Sequence, residues 1–305
     1  MKPLRIGTRG SPLALWQARH IEERLRQLQS APPIEIVVIE TQGDRAANAS
    51  LSQIGGEGVF TKAIQDAVLE GKADVAVHSM KDLPTAPVAG LALAAVPERA
   101  SVFDVLVSKK YRRFDDLPHG AKLATGSLRR QAQLLHRRPD IRLVDIRGNV
   151  DTRLRKLTEL GLDGLILAEA GLSRLGLQTH ITEVFDVEWM LPAVGQGALA
   201  LECRSDDAET KDILSRLDDY RCRQGVLAER AVLRALGGGC QIPLGVRSQC
   251  ASDTGKMHLT AAVLSQDGSK RVADHVRGRI QAAEELGNQL AETLLRAGAK
   301  EILAQ

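Results

Sequence analysis

The sequence predicts an α/β protein of two lobes followed by a small α+β C-terminal domain. Three observations predict it. Strand-like and helix-like stretches alternate up to about residue 202, the pattern of layered α/β architecture with largely parallel sheets. The strand-like runs are too many for one compact sheet. The last ninety or so residues then change character.

The strand-like runs are Leu4–Thr8, Ile34–Glu40, Asp74–His78, Leu91–Val96, Val102–Ser108, Lys122–Thr125, Arg142–Ile146 and Leu165–Ala168. Amphipathic stretches lie between many of them: Leu13–Gln29, Phe60–Leu69, Leu128–His136 and Val150–Leu160. Pro97-Glu98-Arg99-Ala100-Ser101 is a natural hinge, so two lobes are expected at 1–97 and 102–192, with a cleft between them. A third domain is expected at 218–305. There a helical stretch, Tyr220–Leu236, runs into Gly237-Gly238-Gly239. Two alternating runs, Met257–Leu264 and Lys270–Val276, are joined by the hairpin signal Gln266-Asp267-Gly268, and a last helix pattern covers Ala282–Arg296.

Composition narrows the function. Of 305 residues, 41 Lys and Arg stand against 38 Asp and Glu, giving a net charge of +3, too mild for a dedicated nucleic-acid binder. Aromatic residues are 3%, too few for the stacking platforms of a single-strand binder. No apolar run approaches the roughly 20 residues that span a bilayer. Met1-Lys2-Pro3-Leu4-Arg5 passes directly into a strand pattern without a signal-peptide core, so a cytoplasmic protein is expected.

Charge is concentrated between Arg129 and Arg155. Arginines 129, 130, 137, 138, 142, 147, 153 and 155 face only Asp140, Asp145 and Asp151, a window of +5. Arginine without lysine suits bidentate grip on carboxylate or phosphate. Several of these residues stand where a strand ends and a helix begins, where free N–H groups favour anions. A polyanionic ligand is indicated, against the blander possibility of a solvated basic face.

Several motifs fail. Gly195-Gln196-Gly197-Ala198-Leu199-Ala200 matches a dinucleotide fingerprint in letters, but it is followed by a strand pattern where a helix is required. Gly55-Gly56-Glu57-Gly58 lacks the Lys-Ser/Thr of a P-loop, and no His/Glu spacing suggests a metal. The four cysteines, at 203, 222, 240 and 250, form neither a C-x-x-C pair nor a disulfide framework. Cys203, Cys222 and Cys250 are read as packed thiols; Cys240 follows three glycines and is read as a thiol presented on a mobile loop.

Five segments carry chemistry together. Thr8-Arg9-Gly10-Ser11-Pro12-Leu13-Ala14-Leu15-Trp16-Gln17 puts Ser11 at a helix N-cap with Pro12 behind it. His78-Ser79-Met80-Lys81-Asp82-Leu83-Pro84 ends a buried strand with a cation and an acid. Gly126-Ser127-Leu128-Arg129-Arg130 and Arg147-Gly148-Asn149-Val150-Asp151-Thr152-Arg153 are the anion sites. Gly237-Gly238-Gly239-Cys240-Gln241-Ile242-Pro243 offers the thiol.

In this order the segments resemble the hydroxymethylbilane synthases, also called porphobilinogen deaminases, from about Leu4 to the C-terminus. The resemblance implies two periplasmic-binding-protein-like lobes, with a segment near 198–215 returning to the first. It implies a transferase that joins four porphobilinogen molecules head to tail, releases ammonia at each step, and frees the linear tetrapyrrole by hydrolysis. It implies a dipyrromethane primer held by a thioether to Cys240, and Asp82 as the catalytic acid. Lys81, Ser127, Arg129, Arg130 and Arg153 match positions that hold the primer's carboxylates. Arg9, Ser11, Arg147 and Arg174 match those that hold incoming substrate, with Gln17 and Gln196 near. Arg137, Arg138, Arg142 and Arg155 match nothing and are expected on the surface. The chain departs from the family's loop lysines with Gln53 and Glu57, in a stretch, Thr41–Gly58, read as a lid. Porphobilinogen is the expected partner, with neither nucleic acid nor membrane, and a monomer is expected. A two-lobed binding protein without chemistry would share the cleft and arginines, but has no use for Asp82 or Cys240.

Overall fold

The computed structural model describes residues 2–29, 32–41, 58–238, 242–251 and 254–304. The chain divides into two compact units, 1–100 with 197–223, and 101–196 with 224–305. Elements up to the first crossing are β1 (Leu4–Thr8), α1 (Pro12–Arg26), β2 (Ile34–Val38), α2 (Lys62–Leu69), β3 (Val75–Ser79) and β4 (Leu91–Ala95). Next come β5 (Asp104–Val107), β6 (Lys122–Ala124), α3 (Leu128–Arg137), β7 (Arg142–Val144), α4 (Val150–Glu159), β8 (Gly164–Ala168), α5 (Glu169–Arg174) and β9 (Glu183–Val184). The chain ends with β10 (Leu199–Arg204), α6 (Ala208–Ser215), α7 (Tyr220–Ala235), β11 (Leu244–Cys250), β12 (Lys256–Leu264), β13 (Arg271–Arg279), α8 (Ala283–Arg296) and α9 (Ala299–Leu303).

The first unit holds a five-stranded sheet ordered β2-β1-β3-β10-β4. Its central strand β3 opens with the apolar run Val75-Ala76-Val77 because both faces are covered there. Val75 and Val77 face α1 residues Ala18, Ile21 and Leu25, while Ala76 faces Ile64 and Val68 of α2. Each large side chain so buried contributes about 1.5–3 kcal/mol. Helix α1 starts where it does because the Ser11 hydroxyl accepts from the Ala14 N–H at 3.3 Å and Pro12 supplies the first helical residue.

The second unit repeats that order as β7-β6-β8-β5-β9. In each sheet three neighbouring strands are parallel, and the fourth position is filled by a reversed strand, β10 or β5, that the chain adds just after crossing between units. Four of the five strands in each sheet therefore run the same way, the largely parallel sheets that alternation implies, with one reversed strand in each. A strand arriving from outside the unit needs no helical crossover, so nothing forces it to run parallel. This duplicated order is the two-lobed α/β architecture, and the small α+β domain follows it. Here Leu106, Leu123 and Ile166 pack against Leu134 of α3, while Val105, Val107, Leu165 and Leu167 pack against Leu157 and Leu172.

The C-terminal part of the second unit is the antiparallel sheet β11-β12-β13 with α7, α8 and α9. It docks on the lobe through a small cluster of Ala132, Leu191, Ala262 and Leu264. Helix α7 stops by the two-bond glycine motif: the Gly237 N–H donates to the Arg234 carbonyl at 3.0 Å and the Gly238 N–H to the Leu233 carbonyl at 3.1 Å. Gly237 has φ +67°, and a Cβ on Gly238 would lie 2.2 Å from Ile242. Two of the three glycines thus end a helix and admit Ile242, while Gly239 and Cys240 lie outside the described residues.

Candidate active site

In the first unit the candidate residues gather where β1 and β3 end side by side, the edge at which α/β sheets bind ligands. Beyond β3 the chain makes one 3-10 turn, Met80–Asp82, fixed by a hydrogen bond from the Met80 N–H to the Ala198 carbonyl at 3.0 Å. That turn buries Met80 and leaves Asp82 exposed, with Lys81 half-buried beside it. The Asp82 carboxylate makes no hydrogen bond or ion pair with another described residue, so it is not committed to Lys81. From the β1 side, Arg9 stacks over the Phe60 ring at 4.1 Å, a cation–π contact that aims the guanidinium. Gln17 is buried and donates from Nε2 to the Ser79 hydroxyl at 2.7 Å, joining α1 to the end of β3.

In the second unit the same edge collects the rest. Helix α3 follows β6, and Ser127 stands at its N-cap with a hydroxyl that makes no capping bond. Arg129 and Arg130, on the first turn, are buried at 4% and 6% exposure. Both reach Asp104, itself 1% exposed, which opens β5 opposite Ala168. Nη1 of Arg129 donates to Asp104 Oδ2 at 2.6 Å, and Nε and Nη2 of Arg130 donate to Oδ1 at 3.0 and 2.7 Å. Gln196 joins from Nε2, at 3.0 Å to Asp104 Oδ1 and 2.7 Å to the Val102 carbonyl. Burial alone would raise the Asp104 carboxyl, but the two guanidiniums outweigh it and hold it at about 2.

The loop after β7 carries Arg147, whose Nε donates to Asp145 at 3.1 Å. Gly148 has φ +110°, and a Cβ there would lie 2.7 Å from Thr152, so only glycine lets Asn149 cap α4 through the Thr152 N–H at 2.8 Å. That turn also presents its carbonyl to Nε of Arg153 at 2.8 Å. Arg174 ends α5, where burial pulls its guanidinium down to about 10.

The sequence reading missed Asp104, although a lone acid opening the apolar run Val105-Leu106-Val107 is a visible signal. Three of the unassigned arginines are explained by pairing: Arg137 with Asp115, Arg138 with Asp140, and Arg155 with Glu159. Arg142 is exposed. Cys203 and Cys222 are buried and Cys250 is half-buried; burial pushes the Cys203 thiol up to about 11, far from nucleophilic. Cys240, Gln53 and Glu57 lie outside the described residues. No helix among the described residues is long and apolar enough to cross a membrane.

The family model described as "Porphobilinogen deaminase, dipyromethane cofactor binding domain" matches residues 4–212, and the one for the C-terminal domain matches 224–296. The chain belongs to the porphobilinogen deaminase family. A porphobilinogen deaminase of Geobacter metallireducens is 47% identical over 304 residues, covering 100% of this chain and 95% of that one. Those of Syntrophotalea carbinolica and Pelotomaculum thermopropionicum are 46% and 47% identical, each over 99% of this chain and over 95% and 96% of their own. The chain is thus a transferase of tetrapyrrole biosynthesis, a hydroxymethylbilane synthase that uses a dipyrromethane cofactor.

The residues present fit that cofactor. Asp104 with Arg129 and Arg130 forms a buried cluster of one net positive charge, and Nε of Arg129 is buried without a hydrogen-bond partner. A carboxylate from the dipyrromethane would supply both the missing charge and the missing acceptor.

Proposed function

We propose that the condensation of porphobilinogen runs at these strand ends, with Asp82 as its acid and Cys240 as the anchor of the primer. The observation that carries this is Asp82 itself, an exposed carboxylate at the end of a buried strand and outside any ion pair with a described residue. Expulsion of the aminomethyl nitrogen as ammonia requires a proton at that nitrogen and leaves a cationic azafulvene. A carboxyl group at Asp82 gives the proton and, once ionised, offsets the cation beside it. The next pyrrole α-carbon attacks the exocyclic carbon, and its ring proton is lost to restore aromaticity. When bound through a thioether to Cys240, the dipyrromethane supplies the free pyrrole α-carbon at which the first unit is added.

The cations divide between two tasks. Lys81, Ser127, Arg129, Arg130 and Arg153 hold the primer's carboxylates; Arg9, Ser11, Arg147 and Arg174 orient the incoming substrate, with Gln17 and Gln196 behind them. The near-balanced charge and scarce aromatics weigh against a nucleic-acid partner, and the protein is read as one that acts on porphobilinogen as a cytoplasmic monomer.

Incubation with porphobilinogen tests the proposal. The expected result is consumption of substrate, release of one ammonia per pyrrole, and uroporphyrin after oxidation, all lost in Asp82→Asn. Turnover that persists in Asp82→Asn would move the acid elsewhere.

A further inference from the structure

We propose that Asp104 is a positioning residue for primer assembly: it holds the Arg129 and Arg130 guanidiniums in the orientation in which they take the primer's carboxylates. The inference rests on the functional reading above and deepens it.

Arg129 and Arg130 are adjacent in sequence on α3, so helical geometry sends their side chains out about 100° apart. Asp104 brings both heads to one carboxylate. Arg130 is held in plane by two bonds to Oδ1 and a third from Nη1 to the Ile166 carbonyl at 3.1 Å. Arg129 is held by Oδ2 on one side and by the Leu191 carbonyl, also at 2.6 Å, on the other. Gln196 braces Oδ1 from the segment before β10. Every oxygen of the acid is used inward, while Nε of Arg129 remains a buried donor without an acceptor. One acid against two guanidiniums also leaves a positive charge for a ligand. The arrangement satisfies the arginines enough to fix them and not enough to complete them.

The asymmetry of the two oxygens makes a specific claim. In Asp104→Asn the amide oxygen at the Oδ1 position keeps Arg130 and Gln196. The amide nitrogen then faces Nη1 of Arg129, donor against donor, so Arg129 alone is released. Asp104→Asn should therefore behave like Arg129→Leu.

The test measures, by intact mass, the fraction of folded protein carrying the primer in wild type, Asp104→Asn, Asp104→Glu, Arg129→Leu and the Asp104→Asn/Arg129→Leu double variant. The loaded fraction should fall at least tenfold in Asp104→Asn, and the double variant should be no worse than Arg129→Leu alone. Asp104→Glu, which keeps the charge but lengthens the reach, should load partly and show a raised KM. A purely structural acid would lower the unfolding midpoint yet leave the folded fraction fully loaded; that result, or a double variant whose loss is the product of the two single losses, would overturn the proposal. Should Asp104→Asn not fold, Asp104→Glu decides: full loading with wild-type KM overturns the inference. A wild type without the extra mass would overturn the functional reading, and this inference with it.

Discussion

The Gly268 carbonyl oxygen lies 2.8 Å from Nδ1 of His136, tying the β12–β13 turn to the helix that bears Arg129 and Arg130. The approach is close enough to require glycine. Gly268 has φ +73°, and a Cβ there would sit 2.5 Å from the His136 amide nitrogen and 2.7 Å from the Ala132 carbonyl oxygen. The C-terminal sheet and the arginine helix are thus packed within one compact unit, so a defect at the turn is felt by the candidate site.

Gly268→Ala should destabilise the protein by roughly 1–3 kcal/mol, because the added methyl meets backbone on both sides and the left-handed conformation is lost to alanine. His136→Ala, which removes one hydrogen bond, should cost about 1 kcal/mol. Urea unfolding midpoints check both, and an unchanged midpoint for Gly268→Ala contradicts the docking.

Acid should erase the contribution of Asp104. Its folded carboxyl sits at about 2, below the ordinary value of 3.8, so its stabilisation is complete above pH 4 and fades as pH falls through 2. In urea titrations the stability gap between wild type and Asp104→Asn should be constant from pH 7 to 5 and smaller by about 1 kcal/mol at pH 3. A gap that widens toward acid would show that the carboxyl is not held ionised by the arginines.

Much of this arrangement is legible in the sequence, where the cause is local. Ser11-Pro12 announces the start of α1, and Val75-Ala76-Val77 announces a strand covered on both faces. What escapes is long-range. The burial of Arg129 and Arg130 depends on an acid some 25 residues upstream, so an arginine-rich window reads as an open anion site when two of its members are internal. Strand β11 escapes for a similar reason: Gly245 and the polar Arg247-Ser248-Gln249 break its alternation, yet Gly245 is there because a Cβ would lie 2.5 Å from Leu191. Gly237 and Gly238 read as looseness in sequence and serve as a helix stop in the fold.

Asp82→Asn should keep the fold and the primer and lose turnover by ~10²–10⁴, the usual worth of acid–base catalysis. Asparagine matches the shape but gives no proton and offsets no cation. Unchanged circular dichroism and primer mass, with single-turnover rates reduced by that factor, are the expected readings. Loss of the primer instead would assign Asp82 to assembly.

Glu57→Lys should lower KM a few-fold at low ionic strength with kcat nearly unchanged, since a loop charge acting through solvent changes the attraction of an anionic substrate by only ~0.2–1 kcal/mol and is screened by salt. Initial rates at two salt concentrations check this. A fall in kcat would mean that Glu57 takes part in the chemistry.

In the proposed mechanism Cys240 carries the primer on which the tetrapyrrole is built. Intact mass spectrometry of the purified chain and of Cys240→Ser tests it most directly. The wild type should exceed the mass of its sequence by two pyrrole units, and Cys240→Ser should show the sequence mass alone and no turnover. An active wild type whose mass equals that of its sequence would contradict the account.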